Sequence, residues 1–261
     1  MLLVIDVGNT ETVFGIYKGD TLCTHWRLSS PMYRTMDETW ILLNGWCQLQ
    51  QVALGEVQGV AISSVVPNLT SMLVEMTRKY FQLEPLVISA EIDTGVVIRY
   101  ESPKTVGADR ICNAVGGIVR FGAPLVIVDF GTAITLDVVS EKKEYLGGVI
   151  CLGLKSASQQ LHTVAAKLPR VELIFPQFVI GRDTETSIQS GLLWGTVVMV
   201  DGLIERIEKE LGVPSLRAIA TGGQAGFVAP HCHRIEAVEP FLTLEGMKYI
   251  YNRIKSQKQG G

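Results

Sequence analysis

The sequence predicts an α/β protein built from two similar halves. Three observations carry that reading. A strand–turn–strand motif runs near the start, Leu3-Val4-Ile5-Asp6-Val7-Gly8-Asn9-Thr10-Glu11-Thr12-Val13-Phe14-Gly15-Ile16-Tyr17. A second copy lies half a chain later, Leu125-Val126-Ile127-Val128-Asp129-Phe130-Gly131-Thr132-Ala133-Ile134-Thr135-Leu136-Asp137-Val138. Behind each copy, strand and helix patterns then follow in a similar order. Each copy places an acid and a Gly/Thr turn at the mouth of an apolar strand. Glycine lets backbone N–H groups approach a phosphate, and the acid can hold a cation or its waters.

The elements follow in order. Strands at Leu2–Ile5 and Thr12–Tyr17 form a hairpin around the first motif, and Thr21–Leu28 adds a third strand. Residues 37–50 have helical spacing, with Trp40, Leu43 and Trp46. Val57–Ser63 reads as a buried strand. Asn68 is the expected cap of a helix over 69–80, and short strands are expected at Pro85–Ile88 and Val96–Tyr100. In the second half, a helix over Gly107–Phe121 leads into the second motif. Tyr145–Ile150 is a strand with Gly147-Gly148 inside it, followed by a helix over 154–167 that Pro169 ends. Residues 186–211 form a long helix, broken by Gly212-Val213-Pro214. Leu216–Thr221 is a strand running into Gly222-Gly223. A last helix spans 244–256, with a frayed tail over 257–261. Two domains follow, 1–115 and 116–261.

Composition narrows the classes. The chain has 261 residues, 47% hydrophobic and 19% charged, with a net charge of -3. A nearly neutral chain argues against a general nucleic-acid binder. Cys23, Cys47, Cys112, Cys151 and Cys232 are scattered, odd in number and without a CxxC pair, which favours a reducing cytoplasm. No signal peptide is visible. The apolar stretch Ile188–Ile204 contains Gly191, Gly195 and Asp201, and a buried helix explains it better than a membrane span.

Four constellations can carry chemistry. Asn9 and Thr10 place short donors beside Gly8, and Asp129-Phe130-Gly131-Thr132 repeats the arrangement; singly, each also suits a tight hairpin turn. Acids at the mouths of two apolar strands favour a nucleotide-phosphate site, because buried charge needs a cation or donors. Ala220-Thr221-Gly222-Gly223 gives flat backbone on which a nucleoside can lie. Gly107-Ala108-Asp109-Arg110 opens a helix. There Asp109 either offsets the helix dipole or accepts a hydroxyl proton, and Arg110 clamps an anion. His231-Cys232-His233 lacks further metal ligands, and His25 and His162 read as surface or structural residues.

These segments, together with Gly147-Gly148, resemble type III pantothenate kinases in order and spacing over nearly the whole chain. The resemblance implies two ribonuclease-H-like (actin-like ATPase) domains with a nucleotide cleft between them. It implies a homodimer that phosphorylates pantothenate with ATP, Mg2+ and a monovalent cation, K+ or NH4+. By position, Asp6, Val7, Gly8, Asn9, Thr10, Glu11 and Thr12 match the first phosphate segment, and Thr132 an ATP contact. Asp109 matches the proton acceptor. Tyr100, Gly107, Ala108, Asp109, Arg110 and Thr184 match pantothenate contacts, Thr184 from either subunit. Asp129 matches the monovalent-cation ligand. The chain departs from the family pattern at Cys151-Leu152-Gly153 and at Asp183, where many members have Asn. No nucleic-acid or membrane partner is expected. The competing readings are a catalytically silent transcriptional accessory factor of the same fold and a sugar or acetate kinase.

Overall fold

The computed structural model describes residues 1–30, 32–165 and 168–259. The chain forms two compact units, one made of Met1–Val119 with Leu242–Gly261 and the other of Arg120–Phe241.

The first unit carries β1 (Leu2–Val7), β2 (Glu11–Lys18), β3 (Thr21–Ser29), α1 (Met36–Leu49), β4 (Gly59–Ser64), α2 (Pro67–Met76), β5 (Leu86–Val87), β6 (Val97–Ile98) and α3 (Ala108–Phe121). Its five-stranded sheet runs β3-β2-β1-β4-β5. β1 pairs antiparallel with β2 and parallel with β4. That centre explains the apolar run of β1: Leu3, Val4 and Ile5 are fully buried. Leu3, Ile5, Phe14, Ile16, Leu43, Val60, Ile62 and Met76 share one core.

The second unit carries β7 (Leu125–Phe130), β8 (Ala133–Val139), β9 (Glu144–Leu152), α4 (Leu154–Val164), α5 (Thr184–Leu211), β10 (Arg217–Thr221), α6 (Ala225–Val228) and β11 (Ala237–Val238). β7 pairs antiparallel with β8, β8 with β9, and β7 runs parallel to β10, which runs parallel to β11. The order of these five strands, β9-β8-β7-β10-β11, matches β3-β2-β1-β4-β5 of the first unit. The duplicated motif therefore marks a duplicated topology.

Several expectations are corrected. The domain boundary is not a single cut at 115/116, because the last helix, α7 (Leu242–Gln259), belongs with the first unit. Gly116 and Gly246 let α7 cross α3 closely: a Cβ on Gly246 would overlap the carbonyl of Cys112, and one on Gly116 would lie 2.7 Å from the Leu242 carbonyl. Thr243 Oγ1 then donates to Asn113 Oδ1 at 2.7 Å. Asn68 is not the cap of α2; Val66 is, and Pro67 takes the first helical turn, where its missing N–H is harmless. The tail does not fray at Gln257, since α7 continues to Gln259; Gly260 and Gly261 lie outside the described residues. α4 stops at Val164, before Pro169, and the predicted helix end at Lys167 lies outside the described residues.

α5 is long and apolar enough to cross a membrane by length and composition. Its Leu193, Val197, Val200 and Ile204 lie in the second unit's core with Val126 and Val128 of β7, as a core helix requires.

Candidate active site

In the first unit the site is built at the ends of two parallel strands. β1 delivers Asp6 and β4 delivers Ser63, and the two are register partners. Ser63 Oγ donates to Asp6 Oδ1 at 2.8 Å. The turn beyond Asp6 closes through Gly8 N–H to the Glu11 carbonyl at 3.0 Å. The Val7 side chain is buried in the core, so only its backbone is left for a ligand. The Thr12 hydroxyl lies 2.9 Å from that of Ser30, and Ser30 N–H donates to the Thr10 carbonyl at 2.9 Å. Ser30 thus braces the phosphate-type turn. Glu11 pairs with Arg27 at 3.5 Å on the surface.

α3 brings its N-terminus to the same strand ends. A Cβ on Gly107 would lie 3.5 Å from Val65 and would overlap Asp109 Oδ1. Val65 N–H donates to the Val7 carbonyl at 3.1 Å. Glycine at 107 is therefore what lets the Asp109 carboxylate fold back over the helix start. Burial raises the proton affinity of Asp109 above the ordinary carboxylate value. The backbone N–H of Arg110, 2.8 Å from Oδ1, and the Arg110 charge oppose that shift only in part. Cys112 is fully buried; burial first, and then the charges of Asp6 and Asp109, push its thiol well up, against a hydrogen bond with Ser63. Asp6 and Asp109 thus both act on one buried thiol. Tyr100 stays 39% exposed, and Ala108 is buried in the helix start.

In the second unit, Asp129, next to last in β7, lies opposite Thr221 of β10. Gly131 N–H closes the turn on the Ala133 carbonyl at 3.0 Å. Gly222 adopts φ +93, and a Cβ there would overlap Asp129 Oδ1. The Gly-Gly after β10 thus makes room for the acid itself. Thr132 is held from behind: its carbonyl accepts from Gly153 N–H at 3.2 Å and from Ser156 Oγ at 3.1 Å. A Cβ on Gly153 would overlap that carbonyl, so the departure at Cys151-Leu152 retains the one glycine the turn needs.

Thr184 is not brought beside Asp129 in any described contact. It opens α5 and lines an open hollow with Arg182, Ser187 and Ile188. Asp183, the other departure, is the N-cap of α5, accepting from Thr186 N–H at 2.8 Å. Asn caps a helix equally well. The residues Ser63, Cys112, Ser30 and Ser156 were missed from sequence. For Ser63, a polar end on a wholly apolar strand was the available signal. The His231-Cys232-His233 segment is structural: His231 stacks on Phe175 at 3.7 Å, and His233 and Arg234 N–H groups donate to Asp201. Among the described residues no cluster of three His, Cys, Asp or Glu side chains suits a metal ion. Asp6 supplies hard carboxylate oxygens beside a Gly turn, a donor set that suits magnesium shared with phosphate and water.

Two β-sheets of one topology, each carrying an acid and a Gly/Thr turn, give the fold class of actin-like ATPases and sugar kinases. A Campylobacter jejuni structure named as a Baf family transcriptional activator matches with a TM-score of 0.61 at 18% identity, covering 97% of this chain and 99% of its own. A Clostridium difficile dehydratase activator with bound ADPNP matches with a TM-score of 0.54 at 14% identity, covering 99% and 97%. At such identities the likeness is one of fold. The type III pantothenate kinase family model matches residues 2–206. A Moorella thermoacetica type III pantothenate kinase is 46% identical over 97% of this chain and 99% of its own. The chain belongs to the type III pantothenate kinase family.

Proposed function

We infer that this chain transfers the γ-phosphoryl group of ATP to the primary hydroxyl of pantothenate, the entry to coenzyme A biosynthesis, with Asp109 as proton acceptor. The observation that supports the role is the buried Asp109 carboxylate, folded over Gly107 with raised proton affinity. As the hydroxyl oxygen bonds to phosphorus, its proton passes to Asp109, and the bond from phosphorus to the ADP oxygen breaks. Arg110, Gly107, Ala108 and Tyr100 hold pantothenate. Asp6 and the Gly8–Thr12 turn serve the ATP phosphates, and Thr132 binds phosphate oxygen. Magnesium, when bound, would neutralise developing phosphate charge. Asp129, packed against Gly222, would hold K+ or NH4+. Thr184 contacts substrate as a member of a homodimer. The protein works in the cytoplasm without nucleic-acid or membrane partners.

The test is ATP turnover by the purified chain against pantothenate, sugars and acetate, with and without potassium. Potassium-dependent turnover on pantothenate alone is the expected result. Turnover on a sugar instead would overturn the substrate. No turnover on any acceptor would favour the accessory-factor reading.

A further inference from the structure

The duplicated topology sets up an internal comparison. In each unit the acid at the end of the central strand faces a hydroxyl residue on the neighbouring parallel strand: Asp6 faces Ser63, and Asp129 faces Thr221. Both hydroxyl residues are buried, Ser63 at 0% and Thr221 at 1% exposure. Their hydroxyls are used differently. Ser63 Oγ donates to Asp6 Oδ1 at 2.8 Å, whereas Thr221 Oγ1 donates to the Glu239 carbonyl at 2.8 Å.

We propose that Ser63 is a positioning residue for Asp6, holding its carboxylate in the orientation that serves the metal-bound phosphate. The proposal rests on the role given to Asp6 above. A carboxylate at a strand end turns about two side-chain torsions, and a charge-assisted hydrogen bond from a fixed donor removes that freedom. The donor is itself fixed. The next residue, Ser64, receives Thr70 Oγ1 at 2.7 Å and Val66 N–H at 3.1 Å. The end of β4 is thereby stapled to the first turn of α2. Burial of Ser63 keeps water from replacing the hydroxyl.

The experiment compares Ser63→Ala and Ser63→Thr in the full chain by calorimetric titration of ADP with and without magnesium, alongside steady-state kinetics. Loss of a side chain that orients a metal-associated group commonly costs 10- to 100-fold in metal affinity or activity. The expected result for Ser63→Ala is a fall of that order in the magnesium-dependent gain of ADP affinity. ADP affinity without metal and KM for pantothenate should stay near wild type, and Ser63→Thr should restore most of the loss. If the alanine variant does not fold, Ser63→Cys, close in volume and a weak donor, takes its place. Wild-type magnesium dependence in Ser63→Ala, or a threonine variant as impaired as alanine, would overturn the proposal. Asp6→Asn separates the two levels. If it too keeps wild-type magnesium dependence, the role of Asp6 fails and Ser63 with it. If it loses that dependence while Ser63→Ala does not, only the Ser63 proposal fails.

Discussion

Replacing Asp109 with Asn removes charge and basicity but little shape. The amide oxygen can still accept the Arg110 N–H that now lies 2.8 Å from Oδ1, so the helix start should keep its form. A positioned general base contributes roughly 10²- to 10⁴-fold. At about 1.36 kcal/mol per tenfold, the loss is about 2.7–5.4 kcal/mol of transition-state stabilisation. Stability should move the other way. Burial holds the folded-state proton affinity of Asp109 above its unfolded value of 3.8. The folded chain therefore binds the proton more tightly, and this carboxyl costs stability increasingly as pH rises from 3.8 through the raised value. At neutral pH, Asn removes that cost, so the melting temperature should hold or rise while turnover collapses. In the wild type, kcat/KM should climb with pH as Asp109 ionises, above the ordinary aspartate value, and the variant should lose that limb. The assay is pantothenate-dependent ADP release from pH 4.5 to 8, with thermal melts of both proteins. Turnover within tenfold of wild type in a folded Asp109→Asn chain, or an unchanged acidic limb, would refute the assignment.

Two further substitutions probe the second unit. Gly222→Ala puts a Cβ into Asp129 Oδ1 and within 2.8 Å of Phe130 backbone atoms at φ +93. It should lower stability by more than about 1 kcal/mol in denaturant melts and weaken activation in a potassium titration. Leu193→Ala empties a fully buried position in the core shared by α5 and β7. It should cost about 2–5 kcal/mol, measurable by urea unfolding; a neutral result would sink the reading of α5 as a core helix.

Most of the fold was legible in the sequence because local periodicity reported it. β1, β2 and β7 read as apolar runs, and they are the buried central strands of their sheets. The placement of α7 was not legible. Its register is set by Gly116 and Gly246, 130 residues apart, and helical spacing says nothing about which unit a helix docks on. The capping box at Thr35, which receives Glu38 N–H at 3.3 Å, explains why α1 begins a residue before the predicted start. The site was legible as separate segments, since Gly, Asp and Thr in a turn are local signals. The groups that brace it, Ser63, Ser30 and Ser156, sit far from those turns in sequence and reach them only through strand pairing or loop return.

The duplicated motif is best understood as one scaffold with two different sockets. In the first unit the neighbouring strand supplies Ser63, so Asp6 meets a directional donor and is held in one orientation. In the second, the equivalent Thr221 turns its hydroxyl to Glu239 instead, and the next residue is Gly222, whose missing side chain makes the room that the Asp129 carboxylate takes. A carboxylate oriented by a hydrogen bond suits a small cation that demands strict geometry and keeps its waters. That contrast, written in Ser63 against Thr221-Gly222, supports the proposal that Asp6 serves the magnesium-bound phosphates and Asp129 the monovalent cation. It also predicts that filling the second socket and loosening the first will have opposite signatures. Gly222→Ala should disturb the response to potassium while sparing that to magnesium, and Ser63→Ala the reverse.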